Sequence, residues 1–119
     1  MSTPGNLPAA PTIPLSDDLR SAYQDLYSKL DTEYQNNIDG TAQATLQPAR
    51  LNVRNVLTKD DECKFAQDTA LFSALAAQIS STTDALKTLQ AEMNATLSHF
   101  QTASAILGAV TKVLGLLGV

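Results

Sequence analysis

The sequence predicts an all-α protein, a helical bundle whose C-terminal half is one long helix with a heptad pattern. Every seventh residue from Phe65 onward is apolar over eight positions. Neither glycine nor proline occurs between Thr58 and Leu107. A row with this spacing is typical of a helix that packs along another helix, as in a coiled coil. The eight positions are Phe65, Phe72, Ile79, Leu86, Met93, Phe100, Leu107 and Leu114.

Composition and charge describe one domain with an aliphatic core. The chain has 119 residues, no tryptophan and 5% aromatic residues, a size that suits a single domain. Eight basic and twelve acidic residues give a net charge of −4, which argues against binding to nucleic acid. The one cysteine, Cys63, excludes an internal disulfide. We expect residues 1–15 to be a flexible proline-rich arm and residues 16–119 to be a single helical domain.

Local signals predict where the first helices begin and end. Ser16 is a good N-cap because two aspartates follow it, and Gly40 is expected to end this first helix. The second helix is expected to begin near Pro48, since proline suits a first turn; a longer helix kinked at Pro48 is the alternative. Arg50 and Arg54 lie one turn apart on this helix and could pair with acids of the first. A capping box at Thr58 predicts the next start.

The length of the last helix leaves two architectures open. A continuous helix from Lys59 to Leu117 would be about 88 Å long, which is too long for a compact domain of this size. The alternative is a compact up-down-up-down four-helix bundle with a break at Ser80–Asp84, five residues with indifferent helix propensity. The heptad phase runs through this segment and favours the continuous helix. Such a helix would need an oligomer or a membrane to cover its apolar face.

The apolar row predicts the function of a non-enzymatic interaction or assembly protein. It would self-associate or dock a helical partner, driven by burial of side chains that are each worth ~1.5–3 kcal/mol when removed from water. The expected partner is therefore a second copy of the chain or another helical protein. The predicted partner-binding residues are Leu89, Met93, Phe100, Leu107, Val110, Leu114 and Leu117.

Residues 103–119 support a second hypothesis, a membrane-active or membrane-associating α-helical protein. This segment of 17 residues has one charge, Lys112, and is at the lower limit for crossing a bilayer. Its small residues would let another backbone approach closely. The predicted ridge for membrane contact or tight packing consists of Ile106, Gly108, Val113, Gly115 and Gly118.

Motifs that carry chemistry are missing from the sequence. A nucleophile elbow, a phosphate-binding glycine loop and a zinc-binding HExxH helix are all absent. His99 is the only histidine, and no carboxylate lies near it at helical spacing. We therefore expect no catalytic, cofactor or metal site; a pocket that holds His99 beside an acid would favour a small enzyme or ligand carrier instead. The N-terminus lacks a secretory signal pattern, which predicts a cytoplasmic protein or one exported by a specialised route.

Overall fold

The computed structural model describes residues 13–119, which fold into four α-helices. They are α1 (Asp17–Asn36), α2 (Gly40–Ala66), α3 (Thr69–Ala95) and α4 (Ala103–Leu117). A single 3₁₀ turn precedes α4, and this part of the chain contains no strand. The prediction of an all-α helical bundle is confirmed.

Side chains that bridge α1 and α2 show that these helices run antiparallel. Near the end of α1, Asp31 pairs with Arg50 at 2.8 Å, a pair that the sequence allowed. Arg54, the other arginine considered, forms no ion pair within residues 13–119. Near the start of α1, Arg20 pairs with Asp60, which lies much further along α2. The three-residue connection between the helices has the short length expected for antiparallel neighbours.

The remaining contacts complete an up-down-up-down bundle. The Thr82 hydroxyl of α3 donates to the backbone carbonyl of Asn52 on α2 at 3.2 Å. Closer to the turn, the Cys63 thiol donates to the carbonyl of Leu71 at 3.3 Å, so α3 runs back along α2. The N-terminus of α4 lies beside the end of α1, and α4 packs mainly along α1.

The predicted continuous helix from Lys59 to Leu117 is wrong, and so is the alternative break at Ser80–Asp84. The chain reverses at residues 67–68 and again over residues 96–102. The heptad row is therefore divided among α2, α3, the α3–α4 connection and α4, and it does not form one coiled-coil seam. The four-helix alternative had the right helix number and topology with a misplaced break.

Hydrogen bonds explain why α3 continues through its serines and threonines. The buried Thr82 hydroxyl donates across the α2–α3 interface, and the Thr83 hydroxyl donates to the carbonyl of Ile79 one turn earlier. Both hydroxyl groups thus have hydrogen-bond acceptors while the backbone around them stays helical. The low helix propensity of this segment is thus offset by side-chain bonds and packing.

The turn between α2 and α3 forms without glycine or proline. Gln67 adopts the left-handed conformation, with φ 49° and ψ 55°. The carboxylate of Asp68 then accepts hydrogen bonds from the backbone N–H groups of Ala70 at 2.7 Å and Leu71 at 3.4 Å. Asp68 is therefore the N-cap that starts α3.

The turn between α1 and α2 differs from the prediction at Gly40. This residue does not end the first helix, because α1 ends at Asn36 and Gly40 is the first residue of α2. The Asn37 side-chain oxygen accepts from the N–H of Asp39 at 2.8 Å and shapes the turn. Asp39 in turn caps α2 by accepting from the N–H of Thr41 at 2.8 Å.

The second helix begins well before Pro48 and is therefore longer than a start at this proline would make it. α2 contains Pro48 in its interior, as the longer-helix alternative predicted. The Asn52 side-chain amide donates to the Pro48 carbonyl at 2.8 Å, one turn later. The predicted helix start at Thr58 is wrong, because this residue also lies inside α2.

All four helices contribute to one aliphatic core. Its members include Tyr23, whose side chain is fully buried. Leu15 is buried and Ile13 packs against the core, so the last residues of the predicted arm lie on the bundle. The rest of that arm, residues 1–12, lies outside the described residues. The largest fully buried apolar side chains are Leu26, Leu30, Leu46, Leu75, Leu86, Leu89, Met93, Ile106, Val53, Val56 and Val110.

Candidate functional site

Most of the predicted partner-binding residues contact helices of their own chain. Six of the seven are at most 9% exposed, and Leu107 is half-buried against the core. These side chains already have packing partners in their own chain, so little of their surface is left to meet another protein. The buried six are Leu89, Met93, Phe100, Val110, Leu114 and Leu117.

The predicted ridge on α4 is divided between two sides of the helix. Ile106 and Val113 are fully buried, whereas Gly108, Gly115 and Gly118 are exposed. A Cβ at Gly108 or Gly115 would meet no atom within 4 Å, so packing within this chain does not require glycine there. Gly118 has φ 78° and ends α4 as a left-handed C-cap. Among residues 13–119, no helix is long and apolar enough to cross a membrane.

An apolar groove lies between α3 and the C-terminal end of α4. Its volume is about 300 Å³, and its walls are mostly apolar surface. Val119 at its edge is 59% exposed, whereas Leu117 is buried at its base. We call this feature the α3–α4 groove. It is lined by Ala76, Ile79, Ser80, Thr83, Asp84, Leu117 and Val119.

The α3 wall of the groove has the spacing of one helix face. Positions 76, 79, 80 and 83 recur at i, i+3, i+4 and i+7. Ala76 and Ser80 are small and exposed, so an approaching helix can come close to the α3 backbone. Asp84 is the one charged residue in the lining. The groove therefore suits an apolar strip of a partner helix better than a polar ligand.

The charges of the chain are unevenly distributed. Residues 69–119 carry two acids and two bases, whereas residues 1–68 carry ten acids and six bases and thus the entire net charge of −4. The half of the molecule that holds the groove is sparse in charge and neutral. Two such surfaces can approach each other with little electrostatic repulsion.

His99 forms a surface pair with Asp39 that the sequence did not reveal. Nδ1 of His99 lies 2.6 Å from Oδ2 of Asp39, and both side chains are over one-third exposed. The hydrogen bond from His99, followed by the N–H groups of Ala42 and Thr41, lowers the pKa of Asp39. The α3–α4 groove does not include His99. The pair holds the α3–α4 connection against the start of α2.

Glu33 is a buried carboxylate at the same end of the bundle. It accepts hydrogen bonds from the backbone N–H groups of Gln101 and Thr102, both at 2.9 Å, and from the Thr102 hydroxyl at 2.6 Å. Asn37 donates a further hydrogen bond at 2.6 Å. Burial opposes the charge, but these four bonds outweigh it and lower the pKa of Glu33.

Asp60 is a second buried carboxylate, at the opposite end of the molecule. It binds Lys64 at 2.8 Å and also pairs with Arg20. Burial raises the pKa of the neighbouring Cys63 thiol, and the negative charges of Asp60 and Glu62 raise it further. Cys63 is therefore a buried thiol kept in its protonated form, which disfavours nucleophilic chemistry.

Residues 13–119 contain no group of three or more histidine, cysteine, aspartate or glutamate side chains placed to hold a metal ion. Comparison with protein-family models, with curated proteins and with solved structures gave no match.

The groove was not predicted, because the pattern of α3 was interpreted through its large apolar side chains and not through the small residues between them. Ala76 and Ser80 share a face of α3 with Ile79, and this spacing is visible in the sequence. That α4 ends beside these residues is not visible, since the reversal of the chain over residues 96–102 was not predicted. Leu117 is the one residue common to the predicted set and the groove.

Proposed function

We propose that this chain is a non-enzymatic assembly protein that self-associates through the α3–α4 groove. The observation that carries the proposal is the groove itself, an apolar depression of about 300 Å³ with small residues along one wall. A helix-in-groove contact buries a strip of apolar side chains at i, i+3, i+4 and i+7. The α3 wall supplies residues at this spacing.

The charge distribution supports a second copy of the chain as the partner. Residues 69–119 carry two acids and two bases and have no net charge. Two copies that meet through this half therefore avoid the repulsion between the net negative charges of residues 1–68. The exposed side chain of Val119 lies on the same patch as the groove. A two-fold interface uses one self-complementary patch on both subunits, and an apolar depression edged by the exposed Val119 suits such an arrangement.

The assembly can be tested by adding a large charged side chain to the groove. Ser80→Arg places it in the lining, and Ser81→Arg is the matched control because Ser81 is also exposed on α3 but does not line the groove. Size exclusion with light scattering should give a defined oligomer for the wild type and for Ser81→Arg. It should give the 12.6 kDa monomer for Ser80→Arg.

Equal masses for the two arginine variants, or a wild-type monomer across the concentration series, would reject the proposal. A mass that increases only in mild detergent would favour the alternative of a membrane-associating protein that uses residues 103–119. Aspartate substitutions at Leu107 and Leu114 are less suitable as a test, since Leu114 is buried in the core and its replacement would unfold the bundle.

A further inference from the structure

The helix α4 has no N-terminal cap of its own. Thr102 occupies the N-cap position, but its side chain makes no capping hydrogen bond to α4. Its hydroxyl instead donates to Glu33 of α1, and the N–H groups of Thr102 and Gln101 donate to the same carboxylate. A carboxylate from another helix therefore binds the N-cap residue of α4 and the residue before it, and its negative charge complements the helix dipole.

The same carboxylate also organises the connection before α4. The Asn37 amide donates to Glu33 at 2.6 Å and to the His99 carbonyl at 2.8 Å. One side-chain pair at the end of α1 thus holds both the 3₁₀ turn and the two residues directly before α4. Glu33 is only 2% exposed, so loss of its charge would leave several donors without an ionised acceptor.

Other polar attachments of α4 are few. The helix takes part in none of the ion pairs found among residues 13–119, and its link to α3 through Gln90 and Thr111 is 3.5 Å long. The exposed Gly108 and Gly115 lower its intrinsic helicity without a packing role in this chain. Besides the Glu33 network, α4 depends mainly on burial of its apolar face against α1.

We propose that Glu33 is an acid-sensitive latch: its ionised carboxylate holds α4 against α1, and its protonation releases α4 before the α2–α3 hairpin opens. Release exposes the apolar face of α4, which is buried in the closed bundle. Local opening of one weakly attached element before global unfolding is a common property of folded domains. The exposed residues would be Ile106, Val110, Val113, Leu114 and Leu117.

The direction of the pH response follows from the lowered pKa of Glu33. A carboxylate whose pKa is lower in the folded state contributes stability above its ordinary pKa, and this contribution is lost as the pH falls through the lowered value. The other titratable groups at this end are Asp39 at the start of α2, His99 in the α3–α4 connection, Asp31 and Tyr34 on α1, and Arg50 on α2. Asp39 pairs with His99 and Asp31 pairs with Arg50, and none of these groups forms an ion pair with Glu33.

The latch can be tested by segment-resolved hydrogen exchange, with protection factors corrected for the intrinsic pH dependence. On acidification, wild-type α4 should lose protection at a higher pH than the α2–α3 hairpin. At pH 7, Glu33→Gln should reduce protection of α4 by roughly tenfold or more, the effect of poorly satisfied buried donors. Glu92→Gln, the same change at an exposed position of α3, is the matched control and should leave α4 unchanged.

The latch is rejected if α4 and the α2–α3 hairpin lose protection at the same pH in the wild type. It is also rejected if Glu33→Gln and Glu92→Gln give equal protection of α4 at neutral pH. Should Glu33→Gln fail to fold, the wild-type acid profile still decides the question. Binding of an apolar dye at acid pH, before the hairpin opens, gives a second readout of the exposed face.

Discussion

The carboxylate of Asp60 accepts a hydrogen bond from the backbone N–H of Leu15 at 2.7 Å, so α2 holds the segment that leads into α1. The side chain of Asp60 is fully buried, and burial alone would raise its pKa. Hydrogen bonds from Lys64, Leu15 and Arg20 outweigh this effect and lower the pKa. One buried charge thus fixes the start of α1 on the end of α2.

Replacement of Asp60 should destabilise the bundle. We expect Asp60→Asn to lower the free energy of unfolding by about 1–3 kcal/mol, because bonds to the charged group are lost while their donors stay in place. The neighbouring Asp61 has a side chain that is 66% exposed, so Asp61→Asn should cost less than about 1 kcal/mol. Urea unfolding at neutral pH measures both. Equal effects of the two changes would contradict the role given to Asp60.

The same pair of proteins should show a pH-dependent difference. Since the pKa of Asp60 is lowered in the folded state, its contribution is complete above the ordinary aspartate pKa and is lost as the pH falls through the lowered value. The difference in unfolding free energy between wild type and Asp60→Asn should therefore shrink on acidification. Urea titrations at several pH values would reveal it, and a constant difference would be inconsistent with this assignment.

Tyr23 carries a buried hydroxyl without a hydrogen-bond partner within residues 13–119. Burial also raises the pKa of Tyr23, so the group remains neutral. Removal of an unsatisfied polar atom should be favourable, and we expect Tyr23→Phe to raise the free energy of unfolding by about 1 kcal/mol. The half-buried Tyr27 on the same helix provides the control, and Tyr27→Phe should give no such gain. A loss of stability in Tyr23→Phe would contradict this prediction, since it would mean that the Tyr23 hydroxyl has a hydrogen-bond partner.

Gln67 has a left-handed backbone that a residue with a side chain adopts at a cost. We expect Gln67→Gly to stabilise the protein by about 0.5–1 kcal/mol, because glycine adopts positive φ without that strain. Gln67→Ala keeps the Cβ and should give no gain, which separates backbone strain from loss of the glutamine side chain. Thermal unfolding of the three proteins is the measurement. A gain in the alanine variant as large as that in the glycine variant would argue against strain at this turn.

Thr82 joins α2 and α3 through a polar contact inside the interface. Its hydroxyl donates to the Asn52 carbonyl and accepts from the Gln78 amide at 3.1 Å. Thr82→Val keeps the shape and should cost about 1 kcal/mol. Thr83→Val loses only a bond to its own helix and should cost less. Chemical unfolding compares the two, and the reverse order would show that the contact does not stabilise the hairpin.

Several local features could be predicted because neighbouring residues determine them. Ser16 caps α1 as expected, with its hydroxyl accepting from the N–H of Leu19 at 3.2 Å. Arg50 pairs with an acid of the first helix, one of the pairs that the sequence allowed, whereas Arg54 one turn later forms no ion pair within residues 13–119. Gly40 begins α2 and does not end α1. The reason is that Asp39 caps α2, and this capping effect outweighs the usual preference of glycine for a helix end.

The candidate site was harder to predict than the helices. The heptad row identified apolar positions of α3 such as Ile79 and Leu86, and these are buried. Periodicity states that a face is apolar, but it does not state whether that face meets the same chain or another one. The groove depends on the end of α4 lying beside Ser80, a contact between residues far apart in sequence.

The sequence by itself determined the helical class, the aliphatic core and the sparse charge of the C-terminal half, because these follow from composition and local spacing. Only the tertiary structure decided where the long apolar segment reverses and what its face contacts. Asp68 could cap α3 only because the side chains of α3 find their partners on α2 after that turn. Burial of the apolar face of α3 against α2 offsets the cost of placing Gln67 in a left-handed conformation. Local conformational preferences alone do not reveal that the burial outweighs this cost.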